Sequence, residues 1–360
     1  MLLKNKTILI TGGTGSLGKI LVKRLLSEKK TNKPKKIIVF SRDEGKQHDM
    51  RLSYLDKKAS TDEVIYRNFE QMLEFRIGDV RNYSDICSSM KGVDIVINAA
   101  ALKQVPTCEY FPEQAILTNC IGPSNIVRAI AENDFKVETV LGISTDKAAK
   151  PINLMGMTKA VQEKVLLSAN VLNPNTRFIC VRYGNVMASR GSVIPLFHHQ
   201  IKNGGPITMT VSNMTRFLLT LNEAVDTIFS ALKSAEAGEI FVPNVPSVTI
   251  ENLAKAMVQN TNIKIKTTGI RPAEKIHEIM VTDEEANFTV RKGNYYAIKS
   301  MLPELTKNND FKKPLSWEFS SAANCLDIKE TIKLLEKNNL LPGMNTPSES
   351  GEFLAWIRWR

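Results

Sequence analysis

Near its start the chain passes from an apolar segment, Lys6 to Thr11 (KTILIT), into the turn Thr11-Gly12-Gly13-Thr14-Gly15-Ser16-Leu17-Gly18, and then into a helical pattern reaching about Glu28. Glycines at 12, 15 and 18 between a strand and a helix permit a tight turn, close backbone approach to a pyrophosphate, and close helix–strand contact. The helix start adds free N–H groups and the positive end of its dipole. A glycine pattern in this setting is a nicotinamide dinucleotide site, formed by Thr11, Gly12, Thr14, Gly15, Ser16, Leu17 and Gly18.

The rest of the first half repeats the same alternation. Further strands are expected at Lys36 to Ser41, Leu73 to Asp79, Asp94 to Ala99, Glu138 to Ser144 and Arg177 to Tyr183, with helices notably from Pro112 to Ala131 and Asn153 to Ala169. Short continuous apolar strands separated by helices predict an α/β fold, a doubly wound Rossmann-type parallel sheet covered on both faces. After about Asn185 the alternation loosens, with a helix expected from Asn222 to Ser234, a strand from Gly238 to Pro243 and a helix from Ile250 to Gln259. The expected organisation is a dinucleotide-binding domain over 1–185, a smaller, partly interleaved substrate-binding region over 186–290, and a C-terminal extension over 291–360 that can carry oligomer contacts. The final Phe353 to Arg360 alternates aromatic and basic residues, which suits either a membrane surface or a neighbouring subunit.

Composition narrows the class of ligand. At 360 residues, 43% hydrophobic and 24% charged, the chain can bury a substantial core. No stretch approaches the roughly 20 apolar residues of a membrane span, and Met1 to Ile10 lacks the pattern of a signal peptide, so a cytoplasmic protein is expected. Five widely spaced cysteines without a C-x-x-C pair, and four scattered histidines, suggest neither a disulfide framework nor a metal site. The net charge of +11 favours an anionic ligand. With no zinc-finger or RRM-like segment, and aromatic-basic interleaving confined to the terminal Phe353 to Arg360, a phosphorylated small molecule fits better than nucleic acid.

The end of the second strand separates the two nicotinamide cofactors. An acidic residue there holds the ribose 2′-OH of NAD, and cations there hold the 2′-phosphate of NADP. The chain reads Phe40-Ser41-Arg42-Asp43 with Lys46 one turn on. Ser41, Arg42 and Lys46 together suit NADP, and Asp43 keeps NAD possible. Gly78-Asp79-Val80 follows the third strand, where the adenine edge is expected, and Ala99-Ala100-Ala101 follows the fourth, where small residues let a dinucleotide lie on the sheet edge.

The fifth strand ends in Ser144-Thr145-Asp146-Lys147, and Met155 and Lys159 share one face of the next helix. Here the sequence resembles the extended short-chain dehydrogenase/reductases, which carry Tyr-x-x-x-Lys on this helix and Ser or Thr at the preceding strand end. Lys159 and Thr145 match; Met155 replaces the tyrosine and can neither give nor take an alcohol proton. Longer motifs narrow the resemblance to the inverting UDP-N-acetylglucosamine 4,6-dehydratases of bacterial surface-glycan pathways. They are TGGTGSLG, FSRDEGKQ, GDVRN, AAALKQVPTCEYFP, STDKAAKPINLMGMTK, RYGNVMASRGSVIPLF, MTRF and GIRPAEKIHE, spread over roughly residues 5 to 290. One branch of that family carries Met in place of Tyr and is active.

The resemblance implies a reaction and roles. Hydride leaves sugar C4, a base removes the C5 proton made acidic by the new ketone, water leaves from C6, hydride returns to C6, and a proton returns to C5 on the opposite face. Lys147 is implied as the C5 base, Asp146 as the acid for the C6 hydroxyl, Lys159 as the holder of the nicotinamide ribose, and Thr145 as a hydrogen-bond partner near the C4 hydroxyl. A lysine base must be neutral, so its pKa is expected to be lowered by burial or nearby positive charge. With Met155 inert, Thr145, Asp146 or a water must relay the C4 proton.

Asn119, Tyr183, Asn185 and Lys103 are implied on the cofactor side. Arg216 and Arg271 are candidates for the UDP pyrophosphate, since guanidinium matches phosphate as a fork. Glu274 is a candidate for a ribose hydroxyl; Asn185, Ser189, Arg190 and Val193 for the sugar or first phosphate; Thr208, Met209 and Thr210 for a strand against uracil; and Lys103 and Gln104 for the sugar pocket. The resemblance also implies a homo-oligomer, a dimer or hexamer. Three alternatives remain: a 4-epimerase, a non-inverting dehydratase on the same fold, and a catalytically silent NADP-binding sensor. Met155 favours the last, and the Asp146-Lys147 pair opposes it.

Overall fold

The computed structural model describes residues 2–54, 72–187, 192–259, 261–306 and 315–344. Its centre is a nine-stranded sheet made of β1 (Thr7–Thr11), β2 (Lys36–Ser41), β3 (Leu73–Ile77), β4 (Ile95–Asn98), β5 (Thr139–Thr145), β6 (Arg177–Tyr183), β10 (Ile240–Pro243), β14 (Thr289–Lys292) and β15 (Tyr295–Ile298). The spatial order is β14-β15-β10-β6-β5-β4-β1-β2-β3. Strands β1 to β6 and β10 pair in parallel, and β15 and β14 continue the sheet antiparallel at one edge.

Alternation along each strand feeds two cores, which is why these segments are almost wholly apolar. Ile8 and Ile10 of β1 pack with Ile37, Val39 and Leu141 under the helices Ser16–Leu26 and Leu221–Ser234. Leu9, between them, packs with Ile38, Val96 and Val140 under the helices Tyr83–Ser89, Gly122–Glu132 and Leu154–Leu172. The strand order reverses between β1 and β4, so a crevice opens above their carboxyl ends.

Shorter strands lie beyond the sheet. The strands β7 (Asn185–Val186), β9 (Thr215–Leu219), β11 (Ser247–Thr249) and β17 (Cys325–Leu326) form a second sheet; β8 (Ile207–Met209) pairs with β12 (Ile265–Thr267), and β13 (Ile279–Val281) pairs with β16 (Phe319–Ser320). A separate apolar cluster, including Phe197, Met214, Leu253 and Leu335, supports them.

Arg182, at 1% exposure, ties this part to the main sheet. Its guanidinium donates to Glu163 at 2.7 and 3.0 Å, to Glu285 at 2.7 and 2.9 Å, and to the Met280 carbonyl at 2.8 Å. Glu163 belongs to the long helix Leu154–Leu172 and Glu285 to the short helix Asp283–Ala286.

One expected element differs. The helix expected from Pro112 to Ala131 is Pro112–Ile116, a wide π turn Leu117–Ile121, and Gly122–Glu132. Pro123 has no N–H to offer the carbonyl four residues back, so the ladder slips there. The expected terminal stretch Phe353 to Arg360, and the candidates Ser189 and Arg190, lie outside the described residues.

Candidate active site

The crevice above β1 and β4 is a cleft of about 430 Å³. Its floor is the glycine turn. Gly12 holds φ +67°, and a Cβ there would come within 2.8 Å of the Ala100 backbone, so the turn and the segment after β4 touch main chain to main chain. Thr11 fixes that approach from below: its hydroxyl donates to Asn98 Oδ1 at 2.7 Å and accepts from the Ala100 amide at 3.2 Å. The helix Ser16–Leu26 starts at Gly15 with no side-chain cap and no acid in its first turn, which keeps its N-terminus open to an anion. Glycine cradle, uncapped helix start and cation-bearing rim together fit a dinucleotide pyrophosphate and ribose.

The cleft wall contains Thr14, Gly15, Ser16, Leu17, Gly18, Ser41, Arg42, Asp43, Lys46, Asp79, Val80, Ala99, Ala100, Ala101, Lys103 and Gln104, all expected at a ligand. At the far end Thr14 donates to Ser41 Oγ at 3.2 Å. Arg42 lies 3.5 Å from Asp79, and Lys46 lies 2.7 Å from Asp43. The hydrogen bonds from Lys46 hold the Asp43 carboxyl below its ordinary range. Phe40 and Thr118 also line the cleft; sequence reasoning missed them because one reads as strand core and the other as helix interior.

Other expected cofactor residues play supporting parts in this conformation. Asn119, on the π turn, accepts from the Leu102 amide at 2.8 Å and donates to the Leu102 carbonyl and Thr158 at 2.9 and 3.0 Å. It shapes the loop carrying Lys103. Tyr183 is buried, and burial pushes its phenol pKa up. Lys159 is 6% exposed and donates to Gln162 at 2.7 Å, away from the cleft wall; burial lowers its pKa to about 8.

The second cluster stands at the end of β5. Asp146 begins a short 3₁₀ turn, capped by Thr145, whose hydroxyl accepts from the Lys147 amide at 3.4 Å. Lys147 Nζ donates to Asp146 Oδ1 at 2.9 Å and to Asn185 Oδ1 at 3.1 Å, and lies 3.2 Å from Glu278 Oε1. Thr145 Oγ1 donates to the same Asp146 oxygen at 2.9 Å. The long helix presses on this turn: a Cβ at Gly156 would lie 2.2 Å from the Lys147 carbonyl oxygen, so only glycine lets the helix start there. Asn153 caps that start by accepting from the Gly156 amide at 2.8 Å.

The electrostatics correct one expectation. Burial pulls Lys147 down most strongly and Arg216 adds to it, but Asp146 and Glu278 outweigh both, so its pKa is raised. Lys147 is therefore an ammonium at neutral pH in this state. Asp146 has no exposed surface. It backs Thr145 and Lys147 instead of facing a ligand directly. Met155 is 4% exposed and packs with Cys108 and Ala115.

The expected substrate residues spread over the second part. Arg216 is buried, with its guanidinium donating to the carbonyls of Thr215, Lys275 and Ile276 at 2.7 to 3.1 Å, which leaves less of its fork for a phosphate than expected. Arg271 is exposed and Glu274 is half-buried. Thr208 and Met209 belong to β8, as expected of a strand there; Thr208 exchanges two hydrogen bonds with Gln200, and Thr210 follows with a contact to Met214. Val193 opens the helix Val193–Lys202. Glu278 and Arg182 were given no role from sequence, although both fall inside quoted motifs.

A family model described as polysaccharide biosynthesis protein matches residues 8–300. A protein named UDP-glucose 4-epimerase from Rickettsia bellii (strain RML369-C) is 47% identical over 298 residues, 82% of this chain and 83% of that protein. Its namesake from Rickettsia prowazekii (strain Madrid E) has the same identity and coverage. Among solved structures, Pen from Bacillus thuringiensis is 35% identical, with a TM-score of 0.81, over 95% of this chain and 100% of that one. DesIV, a dTDP-glucose 4,6-dehydratase from Streptomyces venezuelae solved with NAD and TYD bound, is 17% identical with a TM-score of 0.61 over 92% and 98%; it shares the fold.

Proposed function

This chain belongs to the polysaccharide biosynthesis protein family, and from that premise we propose that it is a UDP-N-acetylglucosamine 4,6-dehydratase that inverts C5 and uses NADP, with NAD as the alternative. The observation that carries this reading is Lys147, a half-buried cation beside two buried carboxylates at the end of β5, the strand paired with β4. Ser41, Arg42 and Lys46 at the ribose end support NADP. When bound, the nicotinamide supplies a hydride acceptor at C4 and a hydride donor at C6.

The chain's own groups handle the protons. Thr145 Oγ1 takes the C4 hydroxyl proton as it passes its own to Asp146 Oδ1, 2.9 Å away, a route that needs no tyrosine at Met155. Lys147, once neutral, removes the C5 proton; Asp146 returns its proton through Thr145 to the departing C6 hydroxyl. Arg271 and Glu274, with what remains of Arg216, are proposed at the nucleotide diphosphate, and the 186–290 region as the wall that holds it. We also assign a homo-oligomer to this protein, joined through exposed apolar residues of the long helix and its neighbour.

The names of the Rickettsia relatives favour a second reading, a UDP-sugar 4-epimerase. Incubation with UDP-N-acetylglucosamine in D₂O separates the two. A 6-deoxy-4-ketone carrying deuterium at C5 is the expected product. The C4 epimer alone, without deuterium at C5, makes the protein an epimerase and ends the dehydratase reading.

A further inference from the structure

Resting on the reading of Lys147 as C5 base, the reaction requires two proton acceptors. The C4 hydroxyl proton leaves through Thr145 to Asp146, and a carboxylate holds one proton. Lys147 starts as an ammonium and must also lose one before it can act. We propose that Glu278 is the second acceptor, a positioning residue that takes the resting proton of Lys147 and thereby turns it into a base. In that step an N–H bond of Lys147 breaks and an O–H bond of Glu278 forms, so ammonium and carboxylate become amine and carboxylic acid. Lys147 is recharged by the C5 proton. One proton then leaves Glu278 to solvent as one enters C5 from the other face, and the cluster returns to its starting charge.

Three observations support the assignment. Glu278 Oε1 is 3.2 Å from Lys147 Nζ, and the residue is 2% exposed. Its other oxygen, Oε2, is buried with no hydrogen-bond partner among the described residues, so it has a lone pair open to a proton. Its backbone is pinned: the Glu278 amide donates to Ser321 Oγ and the Ser321 amide donates to the Glu278 carbonyl, both at 2.8 Å, while Ser321 Oγ lies 2.7 Å from Thr215. The charged groups facing Lys147 are Asp146 on its own turn, Arg216 from β9, and Lys275 and Glu278 from the segment before β13. Replacing Glu278 by a neutral group leaves Asp146 alone against two other cations.

The test uses Glu278→Gln, Glu278→Asp and Lys147→Ala in full-length protein with cofactor and UDP-N-acetylglucosamine in D₂O. Nicotinamide absorbance reads C4 oxidation, and C5 deuterium reads the base. In Glu278→Gln, C5 exchange is expected to fall about 100-fold or more, with C4 oxidation falling far less. Reductive methylation of the resting protein, read by mass spectrometry, is expected to reach Lys147 at a pH about one unit or more lower than in wild type, because the carboxylate that steadies its charge is gone; exchange still falls because no acceptor is left for that proton once substrate covers the site. Glu278→Asp keeps the charge and is expected to recover part of the exchange without moving that pH; it also serves if the glutamine variant fails to fold. Undiminished exchange in Glu278→Gln, or loss of both steps together with no change in Lys147 reactivity, overturns the proposal. C5 exchange surviving in Lys147→Ala refutes the base assignment itself, a separate failure.

Discussion

Single residues here are set against their own solvation, and Lys159 is the clearest case. Its folded pKa of about 8 lies below the ordinary value of 10.5 because burial disfavours the ammonium. The unfolded chain therefore holds this proton more tightly, and charged Lys159 costs stability at every pH below about 8. That cost fades as pH rises from about 8 towards 10.5. Lys159→Met is expected to unfold at higher urea than wild type at pH 7, by up to about 3 kcal/mol, with the gap closing by pH 10. A gap that stays constant with pH would mean that folding leaves the Lys159 pKa at its ordinary value. Lys159 and its spacing to Met155 were legible from sequence, since both lie on one helix. Glu278 was not: it reaches Lys147 from a segment remote in the chain, without periodicity to mark it. Nor was the inward turn of Arg216, because a sequence shows the guanidinium but not the carbonyls that occupy it.

At the scale of elements, strands and the glycine turn were legible because apolar alternation and glycine spacing are local. The π turn at Leu117–Ile121 was less so, although Pro123 was in view. Proline argues for a break, and only packing decides whether a helix resumes after it. The ties between distant elements were hidden, and Arg182 is the strongest of them. It joins β6, the long helix and the short helix Asp283–Ala286 through one buried and one half-buried carboxylate. Arg182→Met leaves Glu163 and Glu285 without their counter-charge and is expected to cost about 3–5 kcal/mol, measured by denaturant unfolding. A triple replacement of Arg182, Glu163 and Glu285 by apolar residues is expected to recover much of it. A loss of under 1 kcal/mol in the single variant contradicts the network's structural part.

Among the described residues, the long helix and its neighbour carry apolar side chains that a lone chain leaves wet. Met157, Val161 and Leu172 share a side of the long helix at 47%, 47% and 76% exposure, and Ile116 and Ile121 beside them are 44% and 40% exposed. A patch of this kind on a folded chain marks an interface, and with it the proposed homo-oligomer. Light scattering is expected to give a multiple of the 40.2 kDa chain. Met157→Glu with Val161→Glu is expected to give a monomer that still binds the dinucleotide; a monomeric wild type refutes the interface. Among the described residues no helix is long and apolar enough to cross a membrane.

The Arg182 network also has a meaning in time. A ribosome delivers Arg182 and Glu163 well before Glu285, and at 5–20 residues per second the missing carboxylate arrives roughly 5–20 s later. Through that interval Arg182 has Glu163 as its counter-charge but lacks its hydrogen bonds to Glu285 and the Met280 carbonyl, so the tie from β6 to the downstream segment is still unmade. Completion of the triad therefore waits for the same downstream segment that brings Glu278 to Lys147.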